Sequence, residues 1–168
     1  PDPVVSPALI DERAVAGVRL LLLDVDGVMT DGRLWFSDAD NPAKAFHVRD
    51  GHGIKMLIAA GVGVAVISGR RSAAVTARMR ELGVSDVAQG VGDKARALAE
   101  LLKRNAVDAR RVACLVDDTP DLGDAIRLGG VHDAVAATDR ESALRGVVEL
   151  TPLPPSMAAQ ASLIWSSV

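Results

Sequence analysis

Aromatic residues are nearly absent from this chain of 168 residues: two Trp, two Phe and no Tyr, 2% in all. A core without rings must be filled by aliphatic side chains, and so few rings argue against a base-stacking platform for single-stranded nucleic acid. Cationic excess is missing as well. Nineteen Lys and Arg face twenty-two Asp and Glu, a formal net charge of −3, which leaves no basic footprint for DNA or RNA. Cys114 stands alone, so no internal disulfide can form, as suits a reducing compartment. Long apolar runs are lacking too, since those at 20–23 and 62–67 fall far short of a membrane span. The first residues, Pro1-Asp2-Pro3, have neither the charged nor the apolar region of a signal peptide. The expectation is a soluble cytoplasmic protein. With 49% hydrophobic and 24% charged residues, the composition is that of one globular domain rather than a disordered chain or a disulfide scaffold.

Periodicity and turn residues divide the chain. A Pro-bearing leader and a short amphipathic stretch occupy 1–18. A strand-length apolar segment, 19–25, stops at the turn signal Asp26-Gly27. Two short strands over 33–37 and 43–48 flank a loop at 38–42 and read as a hairpin. Helix and strand then alternate. Helices are expected at 51–60, 72–82, 94–105 and 121–128, and strands at 63–67, 86–89, 111–116 and 132–136. Such repetition specifies an α/β fold, a doubly wound, Rossmann-like parallel sheet with helices on both faces and a small β-hairpin insert, without a cap domain. The domain is expected over 1–150. A Pro-rich tail, 151–168, reads as a flexible end or a partner-contacting arm.

In doubly wound sheets, ligands bind beyond the carboxyl ends of the strands. Asp24-Val25-Asp26-Gly27 ends the first strand, Ser68-Gly69-Arg70 the second and Asp117-Asp118 the fourth, while Lys94 begins a helix after Gly90-Val91-Gly92. Clustered carboxylates repel and require a cation; Mg²⁺, a hard ion with oxygen ligands that retains open positions, suits them. Lys94 and Ser68 remain for phosphate oxygens. At a strand end, side chains two apart face the same way, so Asp24 can attack phosphorus while Asp26 handles the leaving-group proton.

These four segments, in this order, resemble the four motifs of the haloacid dehalogenase superfamily. The short insert and the run Phe46-His47-Val48-Arg49-Asp50-Gly51-His52-Gly53-Ile54-Lys55 resemble its capless subgroup, which acts on sugar-acid phosphates such as 3-deoxy-D-manno-octulosonate 8-phosphate (KDO 8-phosphate). The resemblance covers about 15–140. It implies an Mg²⁺-dependent phosphatase of lipopolysaccharide biosynthesis working through an aspartyl-phosphate. Asp24 would be nucleophile and metal ligand, and Asp26 general acid/base, lending its carbonyl to the metal. Asp117 would be the third ligand, with Asp118 and Asp121 supporting. Ser68 and Lys94 would hold the phosphoryl group. His47, Val48, Arg49, Asp50, Gly51, Lys55, Arg70 and Arg78 would join Asp26 and Lys94 in meeting a small phosphorylated sugar acid. A homotetramer built through hairpins at about 33–48 is also implied. Val116 stands where the family usually has Gly, Lys55 where it has Arg, and no counterpart of its Gly-rich C-terminal segment occurs in 146–168.

Plainer readings stand beside these. Arg70 and Arg71 can be surface charges at a helix end, and Arg78 can belong to a solvated face. His47 and His52 lack partners for a Zn²⁺ set. Cys114 reads as a small buried hydrophobe. Trp35 and Phe36 serve either local packing or a subunit contact, the contact being favoured because a lone hairpin is barely stable. Two rival functions remain: phosphatase action on a nonulosonate 9-phosphate or another small ester, and a non-catalytic tetramerising module related to domains fused to sugar-acid cytidylyltransferases.

Overall fold

The computed structural model describes residues 17–36 and 42–115. The leader to residue 16, the hairpin tip, the expected helix 121–128, the strand 132–136 and the tail 151–168 lie outside them.

Four parallel strands form the sheet among the described residues: β1 (Leu20–Leu23), β2 (Gly63–Ser68), β3 (Asp86–Gln89) and β4 (Val112–Leu115), in the order β3-β2-β1-β4. Leu20 pairs with Gly63 on one side and with Val112 on the other. The helices between them are α1 (Val48–Ala59), α2 (Ala73–Leu82) and α3 (Lys94–Asn105). None is long and apolar enough to cross a membrane.

β1 is four consecutive leucines, buried throughout, because both faces of a parallel sheet are covered. The pleat sorts them. Leu21 and Leu23 join Val64, Val66 and Leu115 in one cluster, where they meet Ile54 and Leu57 of α1 and Val75, Met79 and Leu82 of α2. Leu20 and Leu22 join Ala65, Ile67, Val112 and Cys114 in the other, against Leu98 and Leu101 of α3. Two apolar layers thus clamp the central strand, and the aliphatic core expected from the near absence of rings is present.

Caps account for the helix boundaries. Asp93 accepts a hydrogen bond from the Arg96 backbone N–H and starts α3 at the expected residue. Gly83, with φ of 80°, closes α2 in the left-handed region. α1 begins three residues before the expected start, because the His47 ring accepts from the Arg49 N–H at 3.2 Å and Asp50 lies in the first turn. Val48, expected to close a hairpin strand, therefore opens a helix. The hairpin itself reduces, among the described residues, to a single antiparallel bridge between Trp35 and Ala43.

Candidate active site

The chain runs β1 to β2 to β3 in one direction across the sheet, then returns to place β4 on the other side of β1. This reversal opens a crevice at the carboxyl end of β1, where Asp24 follows. The Asp24 N–H continues the ladder, donating to the Leu115 carbonyl at 3.0 Å. The turn beyond is held by the Val25 carbonyl, which accepts from the Met29 and Thr30 N–H groups and, at 3.3 Å, from the Thr30 hydroxyl. Gly27, at φ of 82°, supplies the left-handed residue that reverses the chain directly after Asp26.

Asp24 is buried, with 6% exposure, and both its oxygens are engaged. Oδ1 accepts from the Val25 N–H at 2.6 Å, and Oδ2 from Lys94 Nζ at 2.6 Å. A carboxylate can accept about four hydrogen bonds, so each oxygen keeps capacity for an electrophile or a cation. Lys94 reaches it as the first residue of α3, and its side chain is also largely buried.

Ser68, the last residue of β2, is buried, and its Oγ accepts from the Arg70 N–H at 3.3 Å. Its own hydroxyl proton is committed to no acceptor among the described residues. The loop after it is tied to the end of β3, since the Val91 N–H donates to the Ser68 carbonyl at 3.1 Å and the Gly90 N–H to the Arg70 carbonyl at 3.3 Å. Gln89 completes the attachment. Its Oε1 accepts from the Ser72 N–H at 2.7 Å, and its Nε2 donates to Thr76 Oγ1 at 2.9 Å. Sequence reading did not single out Gln89; a glutamine at a strand end looks like any polar surface residue.

Lys44 is the other omission. From the returning arm of the hairpin it inserts its ammonium onto Asp26 Oδ1, with its side chain only 3% exposed. Nothing in the local pattern marks it, because a lysine beside an alanine in a loop reads as solvated charge. Arg70 stands at the outer edge, its Nε 3.7 Å from Asp26 Oδ2 and its side chain mostly exposed.

The expected substrate contacts divide. His47, Val48, Arg49, Asp50 and Gly51 form the N-terminal end of α1, with Asp50 and Gly51 buried and His47 and Val48 exposed. Lys55 is exposed farther along α1. Arg78 points elsewhere than to the aspartates: its guanidinium lies over Gly51 and pairs with Glu81 at 2.9 Å. Asp117, Asp118 and Asp121 lie outside the described residues.

The donor chemistry fits a hard divalent cation. Asp24 offers a buried carboxylate and Asp26 a backbone carbonyl, and among the described residues no thiol or imidazole is hydrogen-bonded to either carboxylate. No cluster of three potential metal-ligating side chains occurs among the described residues, and the third ligand expected, Asp117, is beyond them.

Fold and site together define a Rossmann-like α/β protein with an acidic, lysine-countered site at the switch point of its sheet. No family model matches the chain. Over 106 residues it is 42% identical to the 3-deoxy-D-manno-octulosonate 8-phosphate phosphatase of Yersinia pestis, a match covering 63% of this chain and 57% of that protein. The chain spans about three-fifths of the length of the curated relatives it matches. The crystal structure of the Yersinia pestis phosphatase superposes with a TM-score of 0.70 at 33% identity, covering 83% of each chain. The Moraxella catarrhalis phosphatase, solved with a magnesium ion, a phosphate ion and KDO, superposes at 0.74 with 27% identity, covering 93% of this chain and 96% of that one. The chain belongs to the KDO 8-phosphate phosphatase family of the haloacid dehalogenase superfamily.

Proposed function

We propose that this protein is an Mg²⁺-dependent phosphomonoesterase that hydrolyses KDO 8-phosphate, a phosphorylated sugar acid, to KDO and phosphate. The observation that carries the reading is the pairing of a buried carboxylate with a buried ammonium, Asp24 Oδ2 to Lys94 Nζ at 2.6 Å, at the sheet's switch point beside Asp26 and Ser68. The name of the Yersinia pestis relative and the KDO and phosphate bound by the Moraxella catarrhalis neighbour support the substrate.

The residues suit a two-step displacement. An Asp24 oxygen attacks phosphorus, the ester P–O bond breaks, and the leaving sugar oxygen takes a proton from Asp26. Asp26, now a carboxylate, takes a proton from water as that water attacks the acyl phosphate. The bond from phosphorus to Asp24 breaks, which releases phosphate and restores both aspartates. Lys94, already at the nucleophile, and the uncommitted Ser68 proton stabilise charge on the transferring oxygens. Mg²⁺, held by Asp24, the Asp26 carbonyl and Asp117, would supply the charge neutralisation that lets anionic phosphate approach a carboxylate. Arg70 at the mouth and the α1 N-terminal end, including Arg49, are the proposed contacts of the sugar acid, whose carboxylate suits guanidinium groups. Arg78, whose guanidinium lies over Gly51 at that same end of α1 and pairs with Glu81 of its own helix, is a proposed contact as well.

The hairpin is proposed to join copies of the chain into a homotetramer. Trp35 and Phe36 are 59% and 78% exposed, and apolar rings so displayed favour a partner surface.

Phosphate release with Mg²⁺ should be measured on KDO 8-phosphate, nonulosonate 9-phosphates and common metabolite phosphates. Release is expected to be fastest from KDO 8-phosphate, and Asp24→Asn should reduce it by at least about 10⁴-fold, the scale on which lost nucleophiles act. Absence of release from every ester by folded, metal-loaded protein would overturn the proposal.

A further inference from the structure

Each of the paired aspartates has its own ammonium. Lys94, on the sheet-and-helix framework, serves Asp24, while Lys44, on the hairpin insert, serves Asp26. The second pair is the less expected, because its members lie 18 positions apart in the chain.

Two features distinguish Lys44 from a surface ion pair. Its side chain is 3% exposed, so water does not solvate the charge, and a buried ammonium needs an acceptor, which Asp26 Oδ1 supplies whether or not the other carboxyl oxygen carries a proton. Asp26 remains 27% exposed at the crevice, so one of its oxygens is gripped while the carboxyl still faces the site. Arg70 is a weak alternative: at 3.7 Å and with 64% of its side chain exposed, it is screened by solvent and holds little geometry. A carboxyl on a turn residue has several staggered wells open to it, and only some aim it at a leaving group beside Asp24.

We propose that Lys44 is a positioning residue: by occupying Asp26 Oδ1 it confines the Asp26 carboxyl to the orientation in which it exchanges a proton with the leaving oxygen, and so makes the hairpin insert part of the active site. The proposal rests on the phosphatase reading for its kinetic consequence, though not for the placement of the side chain.

The test compares Lys44→Met, which keeps the apolar stem, with Lys44→Arg, which keeps the charge, in the full chain with Mg²⁺. KDO 8-phosphate has an alkoxide leaving group that needs a proton; p-nitrophenyl phosphate has one that hardly does. Lys44→Met is expected to lower kcat on KDO 8-phosphate at least about tenfold with KM nearly unchanged, as for impaired general acid catalysis. The burst of p-nitrophenol that reports phosphoenzyme formation should change less than about threefold, and Lys44→Arg should recover much of the loss. Crystal structures of the wild type and Lys44→Met should differ in the Asp26 rotamer. Equal losses in the phosphoenzyme-forming step on both esters, a raised KM with kcat held, or an Asp26 carboxyl unmoved in the variant would each overturn the role. Should the wild type hydrolyse neither ester, the phosphatase reading fails, and the Asp26 rotamer in the two structures still decides for or against positioning by Lys44.

Discussion

Asp24, just beyond β1, and Cys114, on the adjoining strand β4, are both buried, and burial has different consequences for them. Asp24 finds the Val25 N–H and Lys94 to receive its charge. Cys114 finds only the aliphatic layer of Leu20, Leu22, Ile67 and Leu98, and desolvation pushes its thiol up to about 12. The thiolate is the reactive form, so native protein at pH 8 should resist a disulfide reagent that labels the urea-unfolded chain within minutes. Comparable labelling of both states would show that the strand opens. The sign of the pH effect on stability follows. An unfolded thiol ionises near about 8.5, so between that pH and about 12 the unfolded state releases a proton that the folded state keeps. Stability should therefore decline as pH rises through this window, with no contribution from Cys114 below it. Denaturant midpoints of wild type and Cys114→Ala across pH 7–10 check this.

Helices α1 and α2 meet where Gly51 faces Arg78, and this contact explains a residue that local propensity does not favour. Glycine inside a helix is usually less stable than alanine by roughly 0.5–1 kcal/mol. Here a Cβ on Gly51 would collide with the Arg78 guanidinium and come within 3.0 Å of Leu82 Cδ2. Gly51→Ala should thus push the Arg78 guanidinium aside and forfeit the usual gain, with a penalty of up to about 1 kcal/mol. In an Arg78→Ala background the penalty should shrink or reverse, which thermal unfolding of the double-mutant cycle measures. The same pair shows how legibility varied between elements. The bounds of α3 could be read directly, because Asp93 caps it and its apolar residues recur at helical spacing. The start of α1 could not: a histidine cap is rare, and Val48 after Phe46 reads as alternating strand. The Arg78 side chain was open to two interpretations for a similar reason, since a partner on another helix leaves no trace in the flanking residues.

Across the molecule, the hairpin insert leaves two aromatic rings, Trp35 and Phe36, in solvent and also sends a side chain, Lys44, into the crevice. The proposed assembly surface and the proposed Lys44–Asp26 contact therefore share one segment. Light scattering at micromolar concentration should find a tetramer, and Trp35→Glu with Phe36→Glu should shift it to smaller species with unchanged secondary structure by circular dichroism. A wild-type monomer would remove the assembly proposal while leaving the Asp24–Lys94 chemistry intact.

The order of strands and helices, the aliphatic core and the residues of three motifs at their strand or helix ends were all readable from the chain. Each depends on interactions within one turn or one pleat: apolar alternation, caps, and glycines at reversals. The crossing of β4 to the far side of β1, which opens the crevice, depends on packing between distant segments. So do the turning of Arg78 onto Gly51 and the arrival of Lys44 at Asp26. A charged side chain finds its partner through the path of the backbone around it, and that path is settled when the two apolar faces of the sheet are covered.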